Sequence, residues 1–146
     1  MKITVSDSIF INRPPEAVWD FTQDCYKWPE WDRLINGADL IQTNPKKVDI
    51  RGRGKLVAQL DYVLNERPLK SSWQMVNIIS PLFTEAESSW SYTQVDGGTL
   101  WSQNKTYTIK DSLFTWLFSP LTVLTFRSTT KLGMRKVKNM LENGTY

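Results

Sequence analysis

Strict alternation of apolar and polar residues over the middle of the chain is the feature that most limits its fold. In LVAQLDYVL, Leu56, Ala58, Leu60, Tyr62 and Leu64 share one face, and Val57, Gln59, Asp61 and Val63 share the other. SSWQMVNII puts Trp73, Met75 and Ile79 on one parity, SSWSYTQ does so for Trp90 and Tyr92, and TLWSQNKTYTI for Trp101, Tyr107 and Ile109. Period two is the repeat of a strand with one buried face. From about residue 38 to 110 the chain therefore reads as half-buried antiparallel strands. VDGG at 95–98 is a hairpin signal between the last two.

The flanks follow other periods. ITVSDSIFI places Ile3, Val5, Ile9 and Ile11 on one face of a strand, interrupted by Asp7. NRPPEAVWDFTQD reads as a helix ending near Asp24, with Asn12 as candidate cap, the prolines in the first turn and Glu16 at the positive end of the dipole. Val18 and Phe21 point inward and Trp19 lies at the flank; Pro29 begins a second short helix or turn. After LFTWLFSPLTVL a long helix runs to about Glu142. At 100° per residue, Val123, Phe126, Thr130, Gly133, Val137, Met140 and Leu141 fall in one sector, opposite Arg127, Lys131, Arg135 and Lys138. No repeat or linker interrupts the 146 residues, so one domain, 1–146, is expected.

Composition excludes more than it selects. The chain has no histidine, which removes histidine-dependent acid–base and nucleophilic triads and most catalytic zinc sites. Cys25 is the only cysteine, so there is neither an intrachain disulfide nor a zinc finger, and no metal or cofactor is expected. No apolar run is long enough to span a bilayer and the N-terminus lacks a signal-peptide core, which makes a cytoplasmic setting the expectation. The basic residues of the last helix form a solvated row without interleaved aromatics, and GRGK at 52–55 lacks phosphate-loop spacing, so no nucleic-acid partner is expected.

The order of elements, with Pro14, Pro15, Glu16, Val18 and Trp19, then Trp28, Pro29 and Trp31, then Gly97, Gly98 and Thr99, resembles the START-like, or Bet v 1-like (SRPBCC), superfamily. The nearest branch is that of polyketide cyclases/dehydrases and lipid-transport proteins. The resemblance implies an α+β helix-grip fold: a curved antiparallel sheet around a long C-terminal helix, two short helices closing one end, and a cavity for an apolar or aromatic ligand. In that frame Trp28 and Trp31 wedge the second short helix against the sheet, with direct ligand contact as the lesser reading. Asp32, directly after them, reads as a capping or surface carboxylate.

The long helix adds a hint of its own. Its inward stripe carries Thr130 and Gly133 between Phe126 and Val137, whereas a filled core would use larger aliphatics. Small residues opposite aromatic walls describe either an apolar pocket or merely close packing of the rings. The candidate ligand-binding residues are Leu60, Tyr62, Trp73, Met75, Trp90, Tyr92, Trp101, Gln103, Lys105, Tyr107, Phe126, Thr130, Gly133 and Val137. Asp7, Asn77, Gln103 and Lys105 are polar groups on apolar faces that orient a ligand or satisfy a neighbour. Asp7, Lys105, Tyr62 and Tyr107 are the candidates for acid–base work, at no diagnostic spacing.

SLFTWLFSPL, 112–121, is too apolar for an exposed loop. It packs over the cavity's open end, gates it, mediates a dimer, or gives transient membrane contact through the Trp116 region. Three functions stay open: carriage or sensing of a small hydrophobic or aromatic molecule or lipid, a polyketide cyclase or dehydratase acting in the same cavity, and a protein-interaction module.

Overall fold

The computed structural model describes residues 1–113, 117 and 119–144. Seven strands form a single antiparallel sheet: β1 (Lys2–Ile11), β2 (Ile35–Thr43), β3 (Lys46–Gly52), β4 (Leu56–Glu66), β5 (Lys70–Ile79), β6 (Phe83–Val95) and β7 (Gly98–Ile109). Their order across the sheet is β1-β7-β6-β5-β4-β3-β2, so every neighbour is also a neighbour in sequence except at the β1–β7 pair. Helices α1 (Pro15–Thr22) and α2 (Trp28–Trp31), with a 3-10 turn at Cys25–Lys27, fill the β1–β2 connection. Helix α3 (Ser119–Glu142) follows the sheet. This is the α+β helix-grip architecture.

Alternation produces the core. Along β7, Trp101, Gln103, Lys105, Tyr107 and Ile109 are buried while Leu100 and Asn104 face out. The β6–β7 hairpin closes through Asp96 and Gly97, both at positive φ (48° and 80°), the backbone of a tight two-residue turn. Toward the end of β5 the alternation fails. Asn77 adopts φ 52° and the β4–β5 register shifts between the Val57–Ile79 and Gln59–Val76 pairs. One extra residue reverses the facing of all that follow. Ile79, expected inward, is 67% exposed, and Asn77 faces solvent rather than the apolar side.

The start of α1 also departs from expectation. Pro14, extended at ψ 153°, is the cap residue and supplies no side-chain bond. Asn12 lies two residues before that cap, and its backbone N–H donates to Glu142 Oε2 at 2.9 Å, while Arg13 donates to the Leu141 carbonyl at 2.9 Å and Lys138 to the Phe10 carbonyl at 2.7 Å. The end of β1 is thereby tied to the end of α3. Trp19 is buried against Tyr92, with ring centroids 5.0 Å apart, instead of lying at a flank.

On α3, Phe126, Thr130, Gly133, Val137 and Leu141 are buried in the predicted stripe, joined by Met134, and Arg127, Lys131 and Arg135 are exposed. Thr130 turns its hydroxyl to the Phe126 carbonyl at 3.0 Å. Gly133 has a tertiary reason. A Cβ there would stand 3.1 Å from the Trp31 carbonyl oxygen and 3.3 Å from its Cε3. The space left by the missing side chain is occupied by α2. A Gly133→Leu variant should therefore displace Trp31 and lose about 1–3 kcal/mol of stability, read as a lower urea midpoint. An unchanged midpoint would show that the α2–α3 seat contributes nothing.

Candidate functional site

Two aromatic groups divide the interior. In the first, Trp90 meets Trp28, Trp31 and Trp101 at centroid distances of 6.4, 6.1 and 5.7 Å, and Trp101 also meets Trp31 edge-on at 5.7 Å. Tilted and edge-to-face geometries of this kind suit the ring quadrupoles. In the second, Tyr107 bridges Phe83 at 5.3 Å and Phe126 at 4.5 Å, joining sheet to α3.

Between them is a cavity of about 270 Å³. Trp28, Trp31 and Asp32 line it from α2 and its end, Leu60, Trp73, Met75, Trp90, Lys105 and Tyr107 from the sheet, and Phe126 from α3. Ile50, Leu56 and Phe83 add to the sheet side, and Leu34 and Ile35, Arg53 and Gly54, and Ser80, Pro81 and Leu82 complete the lining as its rim. The Arg53 N–H donates to the Leu34 carbonyl at 3.0 Å, joining two parts of that rim.

Of the residues singled out from sequence, Leu60, Trp73, Met75, Trp90, Lys105, Tyr107 and Phe126 come together on this wall. The others lie outside it. Tyr92 belongs to a buried polar network at the foot of α1: its hydroxyl meets Thr22 Oγ1 at 2.6 Å and accepts from Gln23 Nε2 at 3.0 Å, and Gln23 also donates to Ser71 Oγ at 2.8 Å. Tyr62 is buried beneath the Lys46 ammonium, 4.7 Å above its ring. Trp101, fully buried, stacks on Tyr92 at 6.4 Å. Gln103 is buried two positions from Lys105, and Thr130, Gly133 and Val137 pack along α3. Asp7, opposite Gln103 in the β1–β7 pairing, accepts from the Ser8 N–H at 2.8 Å.

Sequence reasoning missed the rim because Leu34, Ile35 and Ser80–Leu82 sit in or beside connections, where no period marks the inward residue. Asp32 is the cap that its position suggests: Oδ1 accepts from the Leu34 N–H at 3.0 Å. That bond also places its carboxyl at the cavity wall.

Lys105 is the cationic side chain that the sheet contributes to a mainly apolar wall. It is 7% exposed and makes no hydrogen bond or ion pair with any described residue. Burial moves its pKa below the usual lysine range, and the Asp32 charge opposes that shift without reversing it. Its cross-strand neighbours make no hydrogen bond to it: they are Val5 on β1 and Ser88 on β6, whose hydroxyl accepts from Trp90 Nε1 at 2.9 Å. Tyr107, two positions along β7, is held far above the ordinary tyrosine pKa by burial and secondarily by Asp32, so it remains a neutral phenol and a hydrogen-bond donor. Among the acid–base candidates, only Lys105 and Tyr107 share the cavity.

Comparisons with known proteins follow the same geometry. The model of a family described as polyketide cyclase / dehydrase and lipid transport matches residues 2–142. The structure of TTHA0849 from Thermus thermophilus superposes with a TM-score of 0.82 at 14% identity, over 98% of this chain and 99% of that one. The di-domain ARO/CYC BexL from the BE-7585A biosynthetic pathway gives a TM-score of 0.75 at 14% identity over 94% of this chain. This chain spans about half (49%) of BexL. A START superfamily protein from Mycobacterium smegmatis gives 0.66 at 13% identity, covering 90% of this chain and 97% of that one. No curated protein matches the sequence.

The buried ionisable groups define a pH profile. Tyr62, Tyr92 and Tyr107 all have pKa values raised mainly by burial. Above pH ~10 the unfolded chain releases these protons and the folded chain does not, so stability falls by about 4 kcal/mol per pH unit for three groups. Lys105 acts oppositely, as does Lys46, whose pKa burial also lowers. The lowered folded pKa of Lys105 means that the unfolded chain binds the extra proton below pH ~10.4, so its contribution makes stability rise with pH up to that point. Urea midpoints against pH should show the alkaline fall, with tyrosinate absorbance from these three appearing only on unfolding. In Lys105→Met the rising limb should flatten and the neutral-pH midpoint should increase, because a buried group without a partner is removed. Smooth tyrosine titration without unfolding, or a less stable Lys105→Met, would contradict this arrangement.

Proposed function

We propose, since the chain belongs to the polyketide cyclase/dehydrase and lipid-transport family, that it binds a small, mainly apolar or aromatic molecule between sheet and α3 and carries or senses it. One observation carries the reading: the cavity walled by Trp28, Trp31, Trp73, Trp90, Tyr107 and Phe126, with polar groups confined to a few positions. Small-molecule sites are commonly built in this way, with an apolar lining for affinity and sparse polar groups for orientation. Leu60, Met75 and Lys105 are the further wall residues assigned to ligand contact.

Turnover of the bound molecule is the second reading. Lys105 and Tyr107 favour it, because a phenol and an amine on one strand face are suited to polarising a carbonyl. Cyclisation on such a scaffold depends chiefly on holding a reactive chain in one conformation. The same proposal includes work in the cytoplasm and transient membrane contact near Trp116. Exposed Leu113, Leu117, Leu121 and Leu124, with exposed Arg127 and Lys131 beyond them, support the contact; Phe114, Trp116 and Phe118 themselves lie outside the described residues.

Titration with the neutral fluorophore N-phenyl-1-naphthylamine tests the binding reading. Saturable one-to-one enhancement is expected. Met75→Trp, at a half-buried wall position, should weaken it at least tenfold, about 1.4 kcal/mol. No saturable binding to the wild type, or equal binding by a folded Met75→Trp, would sink it.

A further inference from the structure

We propose that Lys105 is a covalent capture site: its amine condenses reversibly with an aldehyde or ketone carried on an apolar or aromatic body in the cavity. The inference rests on the binding reading and adds a ligand class and a bond to it.

An amine in an apolar wall without a hydrogen bond or ion pair is unfavourable, and a methionine or leucine would fill the same space without penalty. Lys105 is in this state. The charged groups that share its cavity are Asp32, at the end of α2, and Arg53, in the β3–β4 turn; Tyr107 is the other ionisable group on the wall. Asp32 is occupied by the Leu34 N–H and makes no ion pair with Lys105. Burial lowers the Lys105 pKa below the usual lysine range and so raises its share of neutral amine, which is the nucleophile for carbonyl carbon.

The surrounding chemistry suits the step. Residues two apart on a strand face the same side about 6.5–7 Å apart, so a ligand carbonyl can lie between the Lys105 amine and the Tyr107 phenol. The nitrogen lone pair attacks the carbonyl carbon, forming the C–N bond and breaking the C–O π bond. One amine proton passes to the oxygen, and Tyr107 donates a hydrogen bond to that oxygen as charge develops. The carbinolamine hydroxyl then takes a proton and leaves as water, the nitrogen lone pair forms C=N, and the second N–H proton departs. The Asp32 carboxylate, on the same wall, relays these protons. The products are one imine and one water, and addition of water reverses the sequence without any oxidant or reductant. The wall that holds the apolar body raises the local concentration of the carbonyl.

The experiment uses the full chain, 2-naphthaldehyde as probe and cyanoborohydride to reduce any imine at pH 7, with peptide mapping by mass spectrometry. At that pH an ordinary surface lysine is neutral in roughly one molecule in 2,500, so reaction confined to Lys105 would be conspicuous. Displacement of N-phenyl-1-naphthylamine by the aldehyde is followed in parallel. The expected result is displacement together with a single adduct mapping to Lys105. That adduct should disappear in Lys105→Arg. Wild-type mapping decides the matter even if the variant does not fold. Displacement with no adduct at Lys105, or with label spread over surface lysines, overturns covalent capture and leaves the binding reading intact. Absence of fluorophore binding to the wild type overturns both.

Discussion

The seat of Trp31 on Gly133 is the contact on which the interior depends. α2 has only four residues, far too short to persist on helix propensity. It holds its place because Trp31 lies against the Gly133 backbone on one side and meets Trp90 and Trp101 on the other. Trp28 reinforces this by donating its indole N–H to the Thr22 carbonyl at 2.8 Å. A short helix bearing two large rings is thus trapped between sheet and α3. Trp28 and Trp31 then form part of the cavity wall.

The cavity is in this sense a consequence of rigid shapes. Indoles meeting edge to face cannot collapse as aliphatic side chains do, and Tyr107 with Phe126 holds the sheet and α3 together beyond them. The polar network of Thr22, Gln23, Ser71 and Tyr92 lies at another part of the core and satisfies its hydroxyls internally. Lys105 lacks such satisfaction. It shares that state with Gln103 Oε1, the Tyr62 hydroxyl and the indole nitrogens of Trp31, Trp73 and Trp101, but among these groups only its amine can carry a positive charge, and a perturbed ionisable group in a cavity is where function is sought.

How much was legible varied with the type of signal. Period two marked the inward residues of β4, β6 and β7, and the positions 126, 130, 133, 137 and 141 of α3, because burial of a periodic element is written into its own spacing. It failed at Ile79, since a bulge at Asn77 is a pairing event between two strands and leaves no mark in one of them. Asn12 has the composition of a cap, but the helix is capped two residues later at Pro14, and the Asn12 backbone N–H pairs with Glu142, 130 positions away. Gly133 stands out in the sequence as a small residue facing rings. Whether it opened space or admitted a ring depended on where α2 docked.

By itself the sequence determined the element order, the apolar faces, the family resemblance and the absence of histidine chemistry, because these are properties of local spacing and composition. It also brought Lys105 and Tyr107 onto one face of one strand, since alternation requires it. Only the tertiary structure decided that Tyr62, Tyr92 and Trp101 are packed away from the cavity while Trp28, Trp31 and Asp32 line it. Residues of identical parity differ in this respect because sheet curvature and the docking of a four-residue helix set the gap between sheet and α3. That gap is a balance among contacts far apart in the chain, and no periodicity encodes it.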